Sequence, residues 1–217
     1  MFGLPPDLGH RPDRPLRLLC LGAHADDGEI GAGGTVLRLL RERPHVDVTW
    51  AVLSASADRE AEARASAAAL LTDAASVRVE VQSFRDGFFP SEAPAIKAWF
   101  REALEPLRPD LVLTHRTDDA HQDHRVLGEL AWQTFRGARI AAYEIPKWDG
   151  DLDRPNAYVA LDEATLDRKL ALLAAHFGSQ HGKGWYDGET FRGLARVRGV
   201  EAGACYAEAF HCRKLVW

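Results

Sequence analysis

Cysteine is scarce in this chain, and what there is does not pair. Cys20, Cys205 and Cys212 form an odd set with neither the spacing of a zinc ribbon nor that of a disulfide framework. Cys20 falls inside an apolar run, where a free thiol serves as a small core hydrophobe. A reducing compartment fits this usage, and the cytoplasm is the expected location. Long apolar runs are missing too. No stretch approaches the roughly 20 residues of a bilayer span, and the opening segment, broken by prolines and charges, has no signal-peptide core. Nor is there a basic excess: 27 Lys and Arg stand against 32 Asp and Glu, giving a formal net charge of −5 and a pI near 6.0. Nucleic acid and anionic membranes both want a basic stripe, so neither is expected as the main partner. Without repeats or low-complexity tracts, the chain is expected to form a single domain over residues 1–217.

What is present is an alternation of short β-rich runs with amphipathic helical ones. Strands are predicted at residues 16–21, 46–53, 77–81, 111–114 and 140–143. Between and after them, helices are predicted at 35–41, 59–71, 95–105, 124–135 and 165–176, with a Gly-rich turn at 31–34 ahead of the first. Pro106 and Pro109 stop the third helix. This alternation predicts an α/β fold, Rossmann-like, with three α/β/α layers and a mostly parallel sheet. In such a sheet the active site lies at the C-terminal edge of the strands.

Two polar clusters follow predicted strands and therefore converge on that edge. The first is His24-Ala25-Asp26-Asp27-Gly28-Glu29. His24 and Asp27 are three residues apart, so a turn brings both onto one cation, while Asp26 points elsewhere and is free to act as a base. The competing reading is that Asp26 or Asp27 simply caps the next helix. The second cluster, from His115 to His124, packs three histidines and three aspartates into ten residues. His121 and His124 stand at i and i+3; one can ligate a metal while the other faces substrate, with Asp123 fixing a ring orientation and His115 and Asp119 supporting. The glycines after the first cluster lack the G-x-G-x-x-G spacing of a dinucleotide site.

These residues resemble a known family. Ala23-His24-Ala25-Asp26-Asp27-Gly28-Glu29-Ile30-Gly31-x-Gly33-Gly34-Thr35 is similar to the AHPDD-x-E-x-G-x-GGT signature of the LmbE/PIG-L-like zinc N-deacetylases. His115-x3-Asp119-x-His121-x-Asp123-His124-Arg125 resembles that family's second motif. Ala25 and Gln122 replace the usual prolines, and neither position supplies a ligand. The resemblance implies zinc held by His24, Asp27 and His124. It implies Asp26 as general base and His121, oriented by Asp123, polarising the acetyl carbonyl. Arg59, Asp86 and Glu144 become candidates for sugar hydroxyls or an anionic aglycone, although a surface salt bridge or a cap suits each as well.

The implied reaction is removal of an N-acetyl group from an amino sugar or its conjugate, a small-molecule substrate. Another metal amidase or phosphoesterase on the same scaffold, or a sugar- or nucleotide-binding module without chemistry, are the alternatives. A phosphoesterase would want two metals and more bridging carboxylates. Trp148, Trp185 and Trp217 suit stacking on a sugar face, or plain packing. The Gly-rich, aromatic stretch at 176–190 suits a substrate loop or an ordinary connection. A homo-oligomer is compatible with a chain of this size.

Overall fold

The computed structural model describes residues 14–214, so Trp217 and the opening segment lie outside the described residues. β1 (Leu16–Gly22), α1 (Asp27–Glu42), β2 (Val46–Val52), α2 (Ala57–Leu70) and β3 (Ser76–Val81) follow one another. Next comes α3 (Phe89–Trp99), extended by a π turn at Phe100–Leu104 and a 3-10 turn at Glu105–Leu107. β4 (Leu111–His115), α4 (Gln122–Thr134) and β5 (Arg139–Tyr143) complete the five predicted strands. The chain then adds β6 (Ala157–Leu161), α5 (Glu163–His176), α6 (Gly188–Ala202) and β7 (Tyr206–His211).

All seven strands join one sheet in the order β3-β2-β1-β4-β5-β7-β6. The first five in that order are parallel, and β7 runs antiparallel to both β5 and β6. Helices cover both faces, which is the expected three-layer arrangement. Along β1 the side chains alternate between two cores. Leu18 and Cys20 face one containing Trp50, Tyr143 and Phe210; Leu19 and Leu21 face the other, with Phe89, Ile96 and Phe100. No helix among the described residues is long and apolar enough to cross a membrane.

The order places the site. β1 pairs with β2 on one side and β4 on the other. The chain leaves β1 toward β2 and leaves β4 toward β5, so the strand order reverses between them. A crevice opens at the C-terminal ends of strands at such a reversal, where α/β folds bind ligands. His24 follows β1 and His115 ends β4, so both clusters stand at that crevice.

One local expectation is overturned. The predicted turn at 31–34 is helix, because α1 begins at Asp27 rather than near Thr35. The glycines serve close packing instead. A Cβ on Gly28 would come within 2.5 Å of Trp50, and one on Gly31 would overlap the Tyr143 ring. Lys169 and Glu208 also reach into the helix: Lys169 Nζ donates to Ile30 O at 2.6 Å, and Glu208 accepts from the Gly34 and Thr35 N–H groups at 2.9 and 2.6 Å. The buried Lys169–Glu208 pair, 2.7 Å apart, thus locks the first half of α1 in place.

Candidate metal centre and active site

Three nitrogen and oxygen atoms converge at the head of α1 and α4. His24 Nδ1 lies 3.4 Å from Asp27 Oδ2, His124 Nε2 lies 3.5 Å from that same oxygen, and the two ring nitrogens are 3.3 Å apart. Zinc bonded tetrahedrally to nitrogen and oxygen at about 2.0–2.1 Å sets its ligand atoms roughly 3.3–3.4 Å from one another. The trio therefore matches one face of such a centre. It is the set expected from the sequence.

The supporting groups fix each ring. Asp119 Oδ2 stands 3.1 Å from His124 Nδ1, leaving Nε2 for a metal. Asp86 Oδ1 and Asp123 Oδ2 lie 3.0 and 3.5 Å from His24 Nε2, leaving Nδ1. Gly87, at φ 78°, makes the turn after Asp86, and its N–H donates to Asp123 at 2.6 Å. His115 is wholly buried, its Nε2 3.1 Å from Asp27 Oδ2. Two overlapping donor groups, His115–Asp119–His124 and His24–Asp86–His121–Asp123, are weaker metal candidates. The former is sealed from solvent, and in the latter Asp123 already accepts from Gly87 and Phe89 N–H.

Asp26 is not a helix cap. It occupies the cap position of α1, yet its side chain makes no capping bond. Oδ1 accepts from Arg59 at 2.7 Å, while Oδ2 is buried with no partner. An unpartnered buried carboxylate oxygen one residue from Asp27 suits a base waiting for a proton. Burial raises the Asp26 pKa, and the Arg59 guanidinium opposes that rise.

Charge is distributed unevenly across the site. Burial presses on His24, but Asp123, Asp27 and Asp86 outweigh it and hold its pKa well above the ordinary range. His124 goes the other way, pushed down to about 4 by burial and by His115. Asp27, although buried, is held well below the carboxylate range by His124, His115 and His24. Opposed shifts gathered in one crevice are the pattern expected of a candidate functional site. One cation bound between these rings and Asp27 would take the place of the shared protons.

Several expected roles are revised by the geometry. Arg59 does not reach out for substrate: it is held by Asp26, by Glu62 at 2.8 Å and by Ser179 at 3.1 Å. Glu144 is buried and paired with Arg198 through contacts of 2.9 and 2.6 Å, the salt bridge weighed for it beside substrate binding. Asp123 supports His24 rather than the His121 ring. The His121 Nδ1 instead accepts the Asp123 N–H at 3.3 Å, which places the proton of a neutral ring on Nε2. Asp86, with its exposed carboxylate, is the substrate candidate that stays at the mouth. Lys147 escaped the sequence reading. Its Nζ lies 3.1 Å from Asp119 Oδ1, and its position just past the C-terminal end of β5 was the available signal.

The PIG-L family profile, described as GlcNAc-PI de-N-acetylase, matches residues 19–135. The chain belongs to this family. Its fold recurs in the conserved protein TT1542 from Thermus thermophilus, at a TM-score of 0.74 and 24% identity over 93% of this chain and 96% of that one. An N,N'-diacetylchitobiose deacetylase from Pyrococcus horikoshii superposes at 0.69 with 21% identity, covering 95% and 86% of the two chains. GalB, a 4-carboxy-2-hydroxymuconate hydratase from Pseudomonas putida, gives 0.69 and 18% over 93% and 98%. These likenesses carry the PIG-L fold; the hydratase shows that the fold alone does not select a reaction.

Proposed function

We propose that this PIG-L family member is a zinc-dependent hydrolase that removes an N-acetyl group from an amino sugar or amino-sugar conjugate. The observation that carries this reading is the His24 Nδ1–Asp27 Oδ2–His124 Nε2 trio, with edges of 3.3 to 3.5 Å, beside the unpartnered Asp26 Oδ2. Zinc held there would supply a Lewis acid for the amide oxygen and lower the pKa of water toward neutrality. Asp26 Oδ2 takes the proton of the attacking water and returns it to the departing amine. His121 donates its Nε2–H to the developing oxyanion. Arg59 keeps Asp26 ionised, while Asp86, Asp123 and Asp119 hold the two metal-ligating rings in the required tautomers. Asp86, exposed at the mouth, is placed to accept from a sugar hydroxyl.

A panel assay tests this assignment. Free amine and acetate should appear from N-acetyl amino sugars and should disappear with chelator. N-acetyl amino acids, phosphomonoesters and unsaturated acids suitable for hydration serve as competing substrates. Turnover confined to any of those classes overturns the proposal. Zinc binding without turnover on any of them supports a binding module instead.

A further inference from the structure

Among the described large apolar side chains Trp148 is the most exposed, at 72%. Tryptophan seldom surrenders that much surface without a use, since its indole carries one of the largest apolar areas of any side chain. The loop that carries it is firmly anchored. Both carboxylate oxygens of Asp151 accept from Lys147 Nζ at 2.7 Å; Asp151 Oδ2 also accepts from Ala120 N–H at 2.7 Å, and its carbonyl accepts from Arg116 at 2.8 Å. Lys147 in turn contacts Asp119, the carboxylate that orients His124. Trp148 therefore stands one residue outward from the support of a metal-ligating ring.

On its other side Trp148 meets Trp185 edge to face, with ring centroids 6.4 Å apart at 76°. Trp185 packs on Tyr186 and follows the segment in which Ser179 holds Arg59, the partner of Asp26. The indole pair thus joins the loop behind His124 to the loop behind Asp26. We infer that the exposed Trp148, held at 76° against Trp185, is an aromatic platform for a second pyranose ring of the substrate, linked to the sugar that bears the reacting amide. The inference rests on the deacetylase reading. Aromatic faces take the C–H face of a pyranose, and exposed Asp149, next to Trp148 in the chain, suits its hydroxyls, while Lys183 is held over the Trp185 ring by Gln180. A purely apolar substituent would strip water from those charges without replacing it.

The experiment compares kcat/KM for N,N'-diacetylchitobiose and N-acetylglucosamine in the wild type, Trp148→Ala and Trp148→Phe. The disaccharide offers a neighbouring ring to whichever sugar occupies the reacting position. The wild type should prefer the disaccharide, and Trp148→Ala should reduce that preference about tenfold through KM, consistent with loss of one stacking contact. Trp148→Phe should restore most of it. No preference in the wild type, or one that survives Trp148→Ala, overturns the platform. Calorimetric binding of both sugars to Asp26→Asn separates the two claims. Trp148-dependent tighter binding of the disaccharide there, with no acetate released from either sugar by the wild-type enzyme, would sink the deacetylase reading and keep the platform. Acetate release with no Trp148 dependence would do the reverse.

Discussion

Asp26 and His121 show how burial sets the roles of single residues. Asp26 would drift toward the neutral acid in its buried position; Arg59, 2.7 Å away, is what keeps a proton acceptor there. Asp26→Asn preserves shape and removes the acceptor. Zinc content should stay at the wild-type level while turnover falls roughly 10²–10⁴-fold, the usual worth of general base catalysis. Metal analysis alongside acetate release checks this; loss of zinc would make Asp26 a ligand, and near-normal turnover would remove it from the chemistry. His121 is a different case. The family resemblance makes Asp123 the orienting partner of His121, but burial and the neighbouring His24 push the His121 pKa down despite Asp123. In the proposed mechanism its Nε2–H would serve as the oxyanion donor in the neutral form. No spacing rule predicts that, because Asp123 chooses between two rings brought together only by the fold.

Among the elements, α1 links the fold to the candidate metal site. Its first residue, Asp27, is a proposed ligand, and its axis is set by the contact of Gly31 with the Tyr143 ring. Read as sequence, the glycines at 31, 33 and 34 argue for a turn, since each costs a free helix about 1 kcal/mol relative to Ala. The partners that override this propensity, Tyr143, Leu161, Lys169 and Glu208, come from β5, β6, α5 and β7. Local pattern cannot display them. Gly31→Ala should therefore destabilise the protein by about 1–3 kcal/mol through overpacking, although it improves helix propensity. Displacing α1 should also weaken zinc retention. Urea unfolding and metal analysis decide the matter, and a raised midpoint would show that the Tyr143 contact is not tight.

For the molecule as a whole, the five parallel strands and both polar clusters were legible because the strands alternate with helical runs along the chain and two of them lead directly into the polar clusters. The antiparallel β6–β7 pair and α6 were not. β7 (Tyr-Ala-Glu-Ala-Phe-His) is half alanine and charge, and it acquires its place from Glu208 and from pairing with β5 and β6. The ion-pair partner of Glu144 was invisible for a similar reason, because Arg198 lies 54 residues away. A global signature follows from Glu29. It is fully buried, with Ser66 donating to Oε1 and nothing to Oε2, and burial raises its pKa from 4.5 to about 8. Native Glu29 keeps a proton that the unfolded chain releases between those values, so its contribution to stability falls as pH rises through that window. In metal-free protein, Glu29→Gln should gain more than about 1 kcal/mol relative to wild type between pH 5 and pH 8, the worth of one pKa unit. An equal difference at both pH values would mean that Glu29 is already ionised in the fold.

In the proposed reaction, hydrolysis depends on a metal held by His24, Asp27 and His124. The most direct measurement strips the protein with chelator and restores zinc stepwise, following acetate release from an N-acetyl amino sugar. Activity should be lost on stripping, rise in proportion to added zinc, and level off near one equivalent per chain. His124→Ala, missing one of three ligands, should neither retain zinc through dialysis nor recover turnover. Full activity in the stripped protein would exclude a metal-dependent reaction, and a His124→Ala variant that holds one zinc and turns over like the wild type would remove His124 from the ligand set.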